Sequence, residues 1–293
     1  MSDAGYILQQ ALNALRQGSI YALIALGYTM VYGVLTMINF AHGDVFMIGS
    51  FLCFLAAVRL KMSFLPSLLF TMAGTALLGA TIERIAYRPL RNAPRVSAII
   101  TALGVGIFLE SVMVAISPRT QQIPALINNV TWTARGVSFS SLDLVIIALS
   151  IGLMVLLDFI VYRTSTGIAM RAIAWDRTFV PLMGVPVDRI ITLTFALGAA
   201  LAGAAGTMYG LAYSVDPYMG IMVGWKAFIC AVIGGIGNIR GAMIGAFILG
   251  GIEILVAAFL PSTYRDFVAF SLLLILLLLR PYGILGKPMA QKV

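Results

Sequence analysis

The chain has 293 residues, 61% of them hydrophobic and 10% charged, with 19 Lys and Arg against 11 Asp and Glu. Soluble domains carry roughly a quarter charged residues, and most of the apolar residues here fall in runs of membrane-spanning length, so a soluble globular protein is excluded. The net charge of +8 would suggest nucleic acid in a soluble chain, but the basic residues lie in short loops between apolar runs and read as a topological signal.

The N-terminal Met1-Ser2-Asp3-Ala4-Gly5 has neither a basic region nor a small-residue cleavage site, so no removable signal is expected. Runs that suit the roughly 17–25 residues of a bilayer crossing fall at 17–37, 44–60, 64–86, 96–116, 142–162, 190–213, 223–238, 241–260 and 266–284. The expected fold is an all-α polytopic transmembrane bundle, one domain over 1–293, with about 8–10 spans because 44–60 or 223–238 could be re-entrant. Arg84, Arg88, Arg91 and Arg95 crowd one loop and Arg163, Arg171, Arg177 and Arg189 another, whereas 117–141 holds only Arg119 and Arg135. Positive charge favours the cytoplasm, which places 84–95, 163–189 and the tail with Lys287 and Lys292 inside, and 117–141 and the N-terminus outside. Arg59 and Lys61 then fall outside, against the bias. Trp132, Trp225, Tyr213 and Tyr264 are expected at the outer boundary and Tyr87, Tyr162, Trp175 and Tyr282 at the inner one. Cys53 and Cys230 lie in apolar stretches and read as small hydrophobes, without a disulfide framework.

One phrase occurs twice. Asn39-Phe-Ala-His42-Gly43-Asp44 precedes Met47-Ile-Gly-Ser-Phe51, and Gly234-Gly235-Ile-Gly237-Asn238-Ile-Arg240-Gly241 precedes Met243-Ile-Gly-Ala-Phe247. Backbone that is not helical at membrane depth must be buried in protein or line a wet cavity, and paired interruptions in two halves mark a translocation site. Residues 39–44 hold the only histidine, an amide and a carboxylate, and two readings stand level: a polar cavity wall, or a turn in which Asn39 and Asp44 cap helices. One histidine and one acid do not complete a metal site. Gly234, Gly235 and Gly237 lack the lysine and hydroxyl of a phosphate loop, so close packing or a break explains them better, with Asn238 and Arg240 favouring a polar niche. Small residues at 194, 198, 202, 206 and 210 form a helix-packing stripe. Glu83 beside Arg84 and Asp158 near Arg163 read as interfacial charges, whereas Glu110 and Glu253 lie deeper as pathway or interhelical groups.

Gly18-Ser-Ile-Tyr21 through Gly27 with Ile38-Asn39-Phe-Ala-His42-Gly43-Asp44 resembles a signature of the permease subunits of branched-chain amino-acid ABC importers. So do Gly234-Gly235-x-Gly237-Asn238 through Gly241 to Glu253, and Met170-Arg171-Ala172 through Asp176-Arg177 to Leu182-Met183-Gly184-Val185. The resemblance, of the H type, implies a substrate pathway at Asn39, His42, Gly43, Asp44, Gly234, Gly235, Gly237, Asn238, Gly241 and Glu253, with 39–44 facing 234–241. It implies ATPase coupling through 163–189, with Arg171, Asp176 and Gly184 in the docking segment. Phe179-Val180-Pro181 departs from the small residues usual there, and Pro181 would shorten any helix. By the same resemblance the partners are two cytoplasmic ATP-binding subunits, a second related permease, membrane lipid and a periplasmic or lipid-anchored substrate-binding protein, in a bacterial inner membrane. ATP would be bound by the partners, with no cofactor and no catalytic residue in this chain. Urea or short-chain amide import and ion-coupled secondary transport are the alternatives.

Overall fold

Hydrocarbon cannot satisfy a backbone N–H or C=O, so long apolar runs resolve into helices that satisfy their own. The protein, represented by a computed structural model, is described over residues 3–91, 93–134 and 137–286; Arg135, Lys287 and Lys292 lie outside the described residues. Ten α-helices follow in order among the described residues: α1 Asp3–Leu35, α2 His42–Phe54, α3 Phe64–Ile82, α4 Arg95–Ile116, α5 Ser141–Arg163, α6 Ser165–Trp175, α7 Val187–Ala212, α8 Met219–Gly234, α9 Ile239–Phe259 and α10 Tyr264–Leu279. A π-turn at Leu55–Arg59 extends α2, and a second at Glu83–Tyr87 extends α3. Seven of these stretches are long and apolar enough to cross a membrane, and α8 is a shorter apolar helix. The helical bundle expected from composition is the fold observed.

Three departures have local causes. α1 begins at Asp3, well before the expected 17, because Gln9, Gln10, Asn13 and Arg16 are polar but compatible with helix. Hydropathy alone does not register such an extension. α8 ends at Gly234, short of the expected 238, because Gly235 and Gly237 take φ of 103° and 93°, left-handed values that break a right-handed helix. The polar stretch 117–141 contains an antiparallel pair, β1 Thr131–Ala134 with β2 Val137–Ser140, read from sequence as loop.

Cross-links identify the two ends of the bundle. At one, Arg88 and Arg91 both pair with Asp188, and Arg240 pairs with Asp158 at 2.9 Å. The arginine-rich loops therefore share a face with the turn before α9. At the other, Gln121 bridges to Val215, Thr120 bonds to Asp216, and Tyr6 donates to the Ala258 carbonyl.

The small-residue stripe is a packing seam, as expected. α7 lays Gly198 against Gly27 of α1, Gly203 against Gly49 of α2 and Gly206 against Ser50, whose hydroxyl donates to the Gly206 carbonyl at 2.8 Å. α1, α2 and α3 thus pack on one central helix, which fixes where α2 can start.

Candidate functional site

The first break is a return. After Leu35 the chain is non-helical through 36–41, and α2 begins with the ring of His42 pressed against Gly27, eight residues back along α1 from Leu35. At 1.5 Å per residue the chain therefore climbs about 12 Å back into the bundle before becoming helical again. Asn39 is buried and its Oδ1 accepts from the Tyr87 hydroxyl at 2.8 Å. Tyr87 is itself 1% exposed, so its ring is buried within the bundle and ties α3 to the break. Phe40 packs at a tilt against Trp225 and Phe228 of α8, with ring centroids 5.4 and 5.9 Å apart. Trp225 stands beside the break.

Gly43 and Asp44 meet α8 backbone to backbone. A side chain on Gly224 would come within 2.9 Å of the Gly43 Cα, and one on Gly220 within 2.7 Å of Asp44 Oδ1. A cavity of about 140 Å³ lies here between α1, α2, α4 and α8, walled by Tyr28, Phe40, Asp44, Glu110, Gly220 and Trp225, among others. Asp44 is 7% exposed and heads the first turn of α2, where a carboxylate also suits the helix dipole. The capping reading of 39–44 does not hold: Ala41 is the N-cap of α2, without a side-chain cap bond, Asn39 is taken up by Tyr87, and Asp44 lies within the first turn as cavity wall.

The second break is a turn at the arginine-rich end of the bundle. Asn238 caps α9, its Oδ1 accepting from Gly241 N at 3.1 Å, while its Nδ2 donates to the Leu285 carbonyl at 2.9 Å. Gly234 and Gly241 pack backbone to backbone, and Gly235 packs against Gly286. Gly237 faces Gly33 of α1, and beside Asn238 a cavity of about 530 Å³ opens between Tyr32, Tyr162 and Tyr282. The breaks therefore have different partners: 40–44 lie on the first half of α8, whereas 235–238 lie on α1 and the turn after α10. The expected apposition of 39–44 with 234–241 is replaced by this arrangement, because α8 runs between the two.

Glu253 is buried in an ion pair with Lys226 at 3.0 Å and accepts from the Tyr21 hydroxyl at 2.8 Å. Lys226 also reaches Asp266 at 2.8 Å, so one cluster pins α1, α8, α9 and α10. Sequence reasoning passed over Lys226, although a lone lysine in an apolar run already demands an acid, and Glu253 was in view. Glu83 was misassigned: its side chain is wholly buried, paired with Arg91 and bonded by the Thr192 hydroxyl at 2.6 Å, away from headgroup water. Asp158 pairs with Arg240, not Arg163.

Residues 163–189 contain two short helices, α6 and a 3-10 turn at Val180–Met183 with Pro181 in its first turn. Arg171 donates to the Val161 carbonyl and lies 5.5 Å from the Tyr162 ring, so it fastens α6 to α5. Asp176 accepts from Thr178 N at 2.9 Å, and Gly184 ends the turn at φ 77°. Trp175, Leu182 and Met183 are about four-fifths exposed, an apolar ridge on the arginine-rich end.

The profile of the family described as branched-chain amino acid transport system / permease component matches residues 10–278. The chain belongs to this family. It is 44% identical to the high-affinity branched-chain amino acid transport system permease protein LivH of Salmonella typhimurium, covering 98% of each chain. It is 43% identical to the corresponding BraD protein of Pseudomonas aeruginosa over all of both chains, and 30% identical to a probable LivH of Methanocaldococcus jannaschii over 94% and 91%. PsaBC from Streptococcus pneumoniae in complex with Fab superposes with a TM-score of 0.50 at 14% identity, covering 92% of this chain and 91% of that one, a likeness of fold. As a family permease the chain is a multi-pass membrane protein, consistent with its seven long apolar helices.

Proposed function

We propose that this chain is the membrane-spanning subunit of an ATP-driven importer of branched-chain amino acids in a bacterial inner membrane. The observation that carries the reading is end-to-end identity of 43–44% with permeases named for that substrate class. The pathway runs past the first break, with Asn39, His42, Gly43 and Asp44 in its wall. Gly234, Gly235, Gly237, Asn238 and Gly241 form its inner mouth, and Glu253 belongs to the frame that holds α8 beside it. Segment 163–189, with Arg171, Asp176 and Gly184, couples to two cytoplasmic ATPases, which bind the ATP; the exposed Trp175, Leu182 and Met183 support a docking ridge. A second permease completes the pathway, and a periplasmic or lipid-anchored binding protein delivers cargo. The chain performs no chemistry of its own.

The test is reconstitution with the co-encoded partners and measurement of which loaded binding protein stimulates ATP hydrolysis. Leucine, isoleucine or valine as the stimulating cargo is expected; stimulation by urea-loaded protein alone would overturn the assignment.

A further inference from the structure

Asp44 is the one carboxylate of the first break, and its surroundings are specific. Its oxygens lie between Gly106 of α4 and Gly220 of α8, and a Cβ on either glycine would run into them. The chain has left out two side chains to lodge this group. Among the described residues it has no ion pair and no hydrogen bond from another side chain, although only 7% of the residue is exposed. The acids paired elsewhere in the bundle differ in this respect: Glu83 has Arg91, Asp158 has Arg240, Asp143 has Arg16 and Glu253 has Lys226.

The cavity that Asp44 lines carries a second acid, Glu110, and no basic residue. Its remaining walls include the aromatic rings of Tyr28, Phe40 and Trp225. Carboxylates attract a cation by charge, and ring faces attract one through their quadrupole, more strongly where water is scarce. A volume of about 140 Å³ suits a small ammonium with part of an aliphatic side chain, not a metal with its hydration shell. A second helix-end role for Asp44 accounts for its position at the start of α2 but not for Glu110, the rings or the two glycines.

We propose that this cavity is the pathway's recognition site for the α-ammonium group of the transported amino acid, with Asp44 as its principal counter-ion and Glu110 and the three rings completing it. The inference rests on the permease reading above. The missing cation of the Asp44 cluster is then supplied by cargo in transit, and the site favours zwitterions over neutral amides of similar size.

Two measurements on the reconstituted complex test it. In proteoliposomes, Asp44→Asn is expected to lower leucine uptake by about ten- to a hundred-fold, the range of one lost charge-assisted contact, in a complex that still co-purifies with its ATPase partners. Glu110→Gln should lower uptake less. Separately, labelling of Asp44 by dicyclohexylcarbodiimide, read by peptide mass spectrometry, should be slowed by leucine and by isopentylamine but not by isovalerate, which lacks the amine. Unchanged leucine uptake in Asp44→Asn, or equal protection by isovalerate, overturns the inference and leaves the permease reading intact. Protection by isopentylamine in a complex that does not take up leucine keeps the ammonium site and removes the branched-chain assignment.

Discussion

Replacing Lys226 tests whether α8 is held by charge. Lys226 is 12% exposed on its side chain and Glu253 4%, so Lys226→Met leaves a buried carboxylate with the Tyr21 hydroxyl as its remaining partner. Breaking a buried pair from one side costs about 3–5 kcal/mol, because the orphaned charge stays desolvated. Glu253→Gln is milder: the amide still accepts from Tyr21, and Lys226 keeps Asp266, whose side chain is 45% exposed. About 1–2 kcal/mol is expected there. The double variant removes both charges and should recover part of the loss, with a coupling of about 1–3 kcal/mol. Thermal unfolding of the detergent-purified protein, followed by size-exclusion fluorescence, should rank wild type first, then Glu253→Gln, then the double variant, with Lys226→Met least stable. A Lys226→Met protein that melts with wild type would refute the ion pair, and additive losses would refute the coupling.

Topology is checked by thiol labelling after Cys53 and Cys230 are replaced: cysteines near Arg91 and Arg177 should be shielded from an impermeant reagent in intact cells and one near Asn128 should react, the reverse pattern inverting the orientation. Leu182→Asp with Met183→Asp should abolish ATPase co-purification while the permease still inserts, and retention of the ATPase would remove the docking ridge. Gly184 is a poorer probe than the sequence suggested, since its φ of 77° strains any side chain; Gly184→Ala should lower stability by about 1 kcal/mol before coupling is affected. Tyr87→Phe removes the 2.8 Å bond to Asn39 and should destabilise the first break by about 1–3 kcal/mol, seen as faster proteolysis near residues 36–41; protection equal to wild type would show that the bond is dispensable.

The sequence showed both breaks and most span ends because their causes are local. α4, α5 and α9 lie within two residues of the expected 96–116, 142–162 and 241–260, and an asparagine caps α9, whereas α8 and α10 end four and five residues before the expected 238 and 284. The stripe at 194–210 was legible for the same reason, since small residues at fixed spacing have one use on a buried helix. What faces what was not legible. That Asp44 meets Gly106 and Gly220, or that Tyr87 reaches Asn39, depends on how far the chain doubles back after Leu35, and no spacing encodes that length. Neighbours in sequence also misled: Arg84 adjoins Glu83, yet Glu83 is buried against Arg91 and the Thr192 hydroxyl, partners 8 and 109 positions away. Lys226 and Glu253 were readable as charges in apolar runs but not as a pair, being 27 positions apart on two helices joined by the second break.

The central claim, that this permease passes branched-chain amino acids along a wall containing Asp44 under the drive of ATP, is met most directly by one uptake measurement. Proteoliposomes bearing the assembled complex, with ATP enclosed and loaded binding protein outside, should accumulate labelled leucine, lose that accumulation with a non-hydrolysable nucleotide, and be unaffected by protonophore. Accumulation that collapses with the proton gradient and proceeds without ATP would contradict the account.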